Sequence, residues 1–471
     1  MEKLTRLLKG VAFAGICLMT PSLTQGQTYP PVPISADSGQ FGMGIQRTMT
    51  LLASSTPAHR NTVRVLFYGQ SITEQDWSRQ VADWLRHKYP NANLVIENRA
   101  IGGHSSQLLW RTAEADLYPF QPDLLIFHVY GSHIDYEKLI RRVLQRTTAE
   151  VLLQTDHITK PEELVDPASL PAPTMKDWSA WWNTFFLPDL VKRLGHIELL
   201  DQRVLWRQYL NQNHLAPTQL LKDGVHLNDW GCFVMSQLVE QHLVYHAGAP
   251  KDWAALVKDE KPRWQGDRLE MDFTGNRVDL VPLEADAGTK VRVLIDGKPT
   301  SAIPQLYGVT RVSPWPGTSW PLILRTEAKT PLQLEDWTVN FHNASEDGKS
   351  FTFEVVGSRT GPDGGGRNDA PFVSNSGRVA IEPDDWNLAY CKAVFKSAIP
   401  ADLKATWTVV PHFADEPTMP AAGDPSVEAL VTVAQGLSNG LHHLVLEREP
   451  GTSTRLKAIR IYHPPLAADG P

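Results

Sequence analysis

Short, nearly continuous apolar runs recur at residues 63–68, 94–96, 124–129, 151–153 and 197–200, each parted from the next by stretches of helical character. A strand buried on both faces reads as such a run, because neither face alternates with water; a half-exposed strand alternates instead. Between the first two runs, Trp77, Val81, Trp84 and Leu85 fall at i, i+4, i+7 and i+8, the spacing of a helix with one buried stripe. Residues 229–246 read as a closing helix. The pattern predicts an α/β domain over residues 61–248, a parallel sheet with helices on both faces in three layers.

At 471 residues the chain is too long for one ordinary core. Beyond Pro250 the texture changes to strand-like segments at 269–273, 291–295, 351–356, 379–381, 441–447 and 456–462, punctuated by Asp-Gly, Gly-Lys and Pro-Gly turns. Residues 249–471 therefore read as a β-sandwich. Gly361 to Gly366 follows no strand-to-helix unit and lacks Gly-Lys-Ser/Thr, so it reads as a loop and not as a phosphate cradle.

The amino terminus carries Lys3, Arg6 and Lys9, then an apolar run at 11–19, then small and polar residues to Gly26, the layout of a secretory signal peptide over residues 1–26. The run is about half the ~20 residues a membrane span needs, so an exported, periplasmic or extracellular protein beginning near Gln27 is expected, with no membrane span. Cys17 follows Ile16, where a lipoprotein signal wants a small residue. Residues 27–60, rich in Pro, Ser and Thr without a sustained period, suggest a surface-hugging lead-in. With the signal removed only Cys232 and Cys391 remain, and whether they pair is not written in the sequence. A formal net charge of −7 gives no electrostatic reason to expect a nucleic-acid partner.

The first apolar run leads straight into Gly69-Gln70-Ser71-Ile72-Thr73-Glu74, and a helix follows. A serine on such a turn exposes its hydroxyl beside backbone N–H groups, as a nucleophile requires, although helix capping uses the same placement. Near the end of the same region stands Asp223-Gly224-Val225-His226. A serine hydroxyl needs a base, and the base needs a carboxylate to fix its tautomer. One loop can supply both here, and a solvated turn or a metal-ligand pair would show the same spacing.

Taken in order, these blocks resemble those of the SGNH (GDSL-like) hydrolases over residues 61–248. Gly69 to Glu74 is similar to the first block, and Asn98-Arg99-Ala100-Ile101-Gly102-Gly103-His104-Ser105 to the second. Val129-Tyr130-Gly131-Ser132-His133 occupies the place of the third, and Asp223 to Asn228 resembles the last. The resemblance implies a flavodoxin-like three-layer fold, Ser71 as nucleophile, Asp223 and His226 as acid and base, and Gly103 as a backbone oxyanion donor. There are two departures: Gln70 stands where the family has Asp, and His133 where it has the Asn that completes the oxyanion hole. His133 still carries an N–H to donate. The segments 273–278, 295–298, 440–443 and 459–462 look like the jelly-roll domains attached to some SGNH carbohydrate esterases, with residues 300–430 an elaboration.

The leading expectation is thus a cofactor-independent esterase, without a metal, that removes an acetyl or similar acyl group from a carbohydrate. Trp178, Trp181, Trp182, Trp206, Trp315 and Trp320 fit sugar stacking and core burial alike. The alternative is a glycoside hydrolase on the same fold, drawing acid and base from Glu74, Asp135 and Asp223. A non-catalytic sugar-binding protein is the third reading, against which the retention of Ser, Asp and His together counts.

Overall fold

A computed structural model describes residues 28–421 and 423–467. The expected signal peptide, Cys17 and Gln27 lie outside the described residues. The segment 32–60 is more than a lead-in. It holds a helix, α1 (Gln46–Ala53), whose Met49 and Leu52, with Ile45 just before it, are buried in the core. Its amino-terminal turn is tied down by Glu150, whose carboxylate accepts from the Arg47 and Thr48 amides at 2.7 and 2.6 Å.

The chain then runs β1 (Thr62–Gly69), α2 (Ser71–Glu74), α3 (Asp76–Lys88), β2 (Asn93–Asn98), α4 (Ser106–Asp116), β3 (Leu124–His128), α5 (His133–Arg146) and β4 (Glu150–Gln154). It continues through α6 (Trp178–Trp181), a π-helical stretch (Trp182–Phe186), α7 (Leu187–Leu194), β5 (Ile197–Leu200), α8 (Gln202–Gln212) and α9 (Asp229–His242). The five strands form one parallel sheet in the order β2-β1-β3-β4-β5. Period-two alternation within β1 sends Val63, Val65 and Phe67 to the face covered by α1, α3, α8 and α9, and Leu66 and Tyr68 to the face covered by α4, α5 and α7. Trp77, Val81 and Leu85 of α3 are fully buried, and Trp84 sits at the stripe's rim. Fully burying each such side chain stabilises the fold by about 1.5–3 kcal/mol.

After the parallel sheet come β6 (Val257–Glu260), β7 (Arg268–Val281), β8 (Val291–Ile295) and β9 (Lys298–Pro299). Next are β10 (Tyr307–Val309), β11 (Asp336–His342), β12 (Thr352–Gly357), β13 (Gly361–Arg367), β14 (Phe372–Val373), β15 (Ala380–Ile381), α10 (Leu388–Phe395) and β16 (Lys404–Pro411), and finally β17 (Val431–Arg448) and β18 (Ala458–Tyr462). These build a six-stranded antiparallel sheet, β6-β18-β7-β17-β8-β9, and a five-stranded one, β10-β16-β11-β12-β13. The five-stranded sheet is inserted between β9 and β17 of the other. Trp320, Leu322 and Ile323, on the segment between β10 and β11, belong to the same hydrophobic core as α4 and α5, and Arg111 of α4 meets Asp385 at 2.7 Å. The glycine run expected as a loop is strand β13, because its pairing with β12 brings Phe353 O so close to Gly365 that a Cβ there would sit 2.3 Å away. Cys232 and Cys391 are free and buried, so they do not pair; burial pushes the Cys391 thiol up to about 12.

Candidate active site

The carboxyl end of β1 places Ser71. Gly69 is required there by close approach, since a Cβ on it would lie 2.2 Å from the His128 carbonyl on β3. The Ser71 hydroxyl lies 2.9 Å from His226 Nε2, and His226 Nδ1 lies 2.9 Å from Asp223 Oδ2. The other Asp223 oxygen accepts from the Val225 and His226 amides at 2.8 and 2.7 Å. Those two amides, followed by the imidazole, hold the Asp223 carboxyl well below the usual carboxylate range.

The loop carrying Asp223 and His226 is held from two sides. Gln75, just beyond Ser71, accepts from the Leu227 amide at 3.0 Å and donates to its carbonyl at 2.8 Å. From below, the buried His157 donates through Nε2 to Val225 O at 2.8 Å. Neither Gln75 nor His157 stood out in the sequence, since each acts only through a distant backbone.

The second block forms a tight turn. The His104 amide donates to Ile101 O at 3.1 Å, and Gly103 has φ +72°, the left-handed value that position i+2 of a type II turn requires. Glu74 Oε1 accepts from the Gly102 amide at 2.8 Å and anchors this turn. Asp135 lies in the first turn of α5, where Ser132 Oγ accepts from its amide. Three residues before α5, Tyr130 is exposed.

His133 is not directed at Ser71 by any hydrogen bond of its ring. Its imidazole packs among Trp178, Trp181 and Phe186, with ring centroids 5.9, 5.5 and 5.8 Å away. The first position of a helix fixes where its Cα lies, and here packing against the π-helical stretch decides where the ring goes. Trp182, Trp206, Trp315 and Trp320 are buried in the core. Trp178 and Trp181 are half-buried, and Phe185 beside them is exposed.

No family model matches the chain, and no curated protein does. Among solved structures the chain is similar to a two-domain esterase active on acetylated mannans, co-crystallised with mannopentaose. That match is 12% identical, spans 89% of this chain and 95% of that one, and has a TM-score of 0.34. It is also similar to an acetyl xylan esterase, at 20% identity over 39% of this chain and 100% of that chain, with a TM-score of 0.33. A third is an acetylxylan esterase from Geobacillus stearothermophilus, at 16% identity over 41% of this chain and 98% of that chain, with a TM-score of 0.32. These neighbours are carbohydrate esterases, and so hydrolases.

Proposed function

We propose that the protein is a serine esterase that removes acyl groups, acetyl foremost, from a carbohydrate. The observation that carries this reading is the unbroken Ser71–His226–Asp223 relay, with both links at 2.9 Å. Ser71 Oγ attacks the ester carbonyl while His226 Nε2 takes its proton. Asp223 accepts from Nδ1–H, which keeps the lone pair on Nε2 and stabilises the imidazolium that forms. The backbone N–H groups of Ser71 and Gly103 receive the oxyanion. Collapse of the tetrahedral intermediate breaks the bond from the acyl carbon to the sugar oxygen, and His226 returns the proton to that oxygen. Water then enters by the same route, with His226 again as base, and releases the acid.

Two features support a sugar as the alcohol: the resemblance of the four blocks to SGNH hydrolases, and the solvent-reaching aromatic surfaces of Tyr130, Trp178, Trp181 and Phe185, which suit the apolar faces of pyranose rings. Against the glycosidase alternative, Glu74 Oε1 is engaged by the Gly102 amide and anchors that turn. The reading also includes export, and among the described residues no helix is long and apolar enough to cross a membrane. A panel of acetylated and deacetylated glycans, scored for released acetate and released sugar, tests the function. Acetate release that vanishes in Ser71→Ala is the expected result. Sugar release that survives in Ser71→Ala would overturn it.

A further inference from the structure

A backbone N–H stabilises an oxyanion only if its peptide is held in one orientation before charge develops. In the turn at residues 101–104 each neighbouring peptide has its own restraint. Glu74 takes the Gly102 amide, and the Tyr390 hydroxyl donates to Gly103 O at 2.9 Å. A Cβ on Gly103 would strike the Trp320 ring at 2.5 Å, so that indole closes the far side of the turn. The remaining peptide joins Gly102 to Gly103 and carries the proposed oxyanion N–H. Its carbonyl lies 3.1 Å from His104 Nδ1, and among the described residues its N–H has no acceptor.

A carbonyl only accepts, so His104 Nδ1 must carry the hydrogen. The ring is fully buried, with Trp320 edge-on at 4.8 Å. Burial, with Arg311 adding to it, pushes its pKa down to about 4 against the pull of the Gly102 carbonyl, so it is neutral near pH 7. A neutral imidazole that donates from Nδ1 has a lone pair on Nε2. Facing that nitrogen at 3.5 Å is the amide nitrogen of Asn387, itself donating to Pro321 O at 2.8 Å. A donor in that place favours the Nδ1–H tautomer and penalises the other.

We propose that the inserted five-stranded unit positions the oxyanion donor of the parallel-sheet site, with Asn387 fixing the tautomer of His104 and His104 holding the Gly102–Gly103 peptide so that its N–H faces the cleft. This rests on the esterase reading for its catalytic consequence. His104, Asn387, Trp320 and Tyr390 are positioning residues, and the insertion is thereby part of the active site.

The test measures kcat and KM on 4-nitrophenyl acetate for wild type, His104→Leu, His104→Asn and Asn387→Ala. Folding is checked by circular dichroism, and site integrity by the final stoichiometry of Ser71 labelling with a fluorophosphonate. Losing an oxyanion donor outright lowers kcat on the order of 10²-fold to 10³-fold. His104→Leu should approach the lower figure with KM within about twofold, because the donor acts on the transition state. The Asn amide nitrogen reproduces Nδ1, so His104→Asn should recover most of the loss, and Asn387→Ala should fall between. A folded His104→Leu enzyme that labels fully and keeps kcat within twofold overturns the proposal, as does His104→Asn no better than His104→Leu. The esterase reading fails separately, if wild type neither turns over the ester nor labels at Ser71. In that event the ¹⁵N shifts of the His104 ring still decide the positioning: an Nδ1–H tautomer that Asn387→Ala disturbs supports it, and any other pattern overturns it.

Discussion

The molecule contains a second cluster of serine, histidine and aspartate, and setting it against the first shows what makes such a cluster able to react. In the six-stranded sheet, His442 Nδ1 lies 2.8 Å from Asp296 Oδ2, and His442 Nε2 lies 3.3 Å from Ser438 Oγ. The other Asp296 oxygen accepts from the His443 amide at 2.8 Å, much as Asp223 is served by its own loop. The difference is one atom: His442 Nε2 also lies 2.9 Å from the Ser438 carbonyl. Nε2 thus lies closer to a backbone oxygen that only accepts than to the hydroxyl, the reverse of the placement a general base needs. Moreover, Ser438 sits where β17 slips register against β7, between Gln435 and Gly440, whereas Ser71 sits where a buried strand turns into a helix. The first cluster is built to move a proton; the second pins a hairpin turn at Asp296 to an irregular strand.

The largest expected effects break this symmetry directly. Ser71→Ala and His226→Ala should each lower kcat/KM for ester hydrolysis on the order of 10⁴-fold or more, and the double variant should be scarcely worse than either. His442→Ala should leave kcat/KM within about twofold. Ester turnover lost in His442→Ala, with the protein folded, would show that the two clusters had been assigned the wrong way round. Next comes Asp223→Asn, expected to cost on the order of 10⁴-fold, because an amide facing Nδ1 favours the tautomer that carries its hydrogen on Nε2. Steady-state kinetics on an acetate ester checks both.

The parallel sheet was legible because burial on both faces writes itself as unbroken apolar runs, and the observed strands match those runs to within a residue or two. Helix α1 was not, because two buried apolar positions in a single short helix set no period, and what secures it is Glu150 on a distant strand. Strand β13 was missed because glycine argues against a strand locally, while pairing with β12 imposes one. In the candidate site, Ser71, Asp223 and His226 could be proposed from short blocks, since each sits in a recurring local context. The direction of the His133 ring could not, because spacing along a chain says nothing of which neighbour a side chain packs on. Least legible was the Asn387–His104 contact, whose partners are 283 positions apart.

A smaller effect concerns pH. Burial first, and nearby positive charge after it, push the pKa values of His104 and His157 down to about 4 from the usual 6.5. For His157 the neighbours that add to burial are His128 and Arg203, opposed by the Val225 carbonyl and Asp156. Between pH 6.5 and 4 the unfolded chain therefore binds protons that the folded chain refuses, so stability rises with pH across that window and falls as pH drops through it. Asp223, whose carboxyl is held low, adds a loss in the same direction at lower pH still. Glu240 acts the other way, since burial pushes its carboxyl up to about 7, so the contribution of the two rings is read by substitution and not from the wild-type slope alone. His157→Gln, whose amide nitrogen can take over the bond to Val225 O, should make the melting temperature fall less on acidification from pH 6.5 to 4 than in wild type. A pH profile of the melting temperature in His157→Gln that parallels the wild type over the window would contradict the buried, neutral state assigned to that ring.

The smallest effect expected is that of Ser438→Ala, and it bears most sharply on the comparison because it deletes the residue that would be the nucleophile if the second cluster were a triad. Its hydroxyl makes only the 3.3 Å contact to His442, whereas the stronger 2.9 Å bond runs to the Ser438 backbone carbonyl, which alanine retains. The loss should be at most about 0.5–1.5 kcal/mol, the net worth of an ordinary hydrogen bond, read as a small drop in the urea midpoint with an unchanged slope. His442→Ala, by contrast, removes a buried ring that packs on Phe273 as well as its bonds to Ser438 O and Asp296, and should cost more than Ser438→Ala. Ester turnover and labelling by a fluorophosphonate should be the same in Ser438→Ala as in wild type, with Ser71 as the modified residue in both. If the probe instead modified Ser438 in the wild-type protein, Nε2 would have to be free of the carbonyl in solution, and the distinction between a proton-moving cluster and a structural pin would fall.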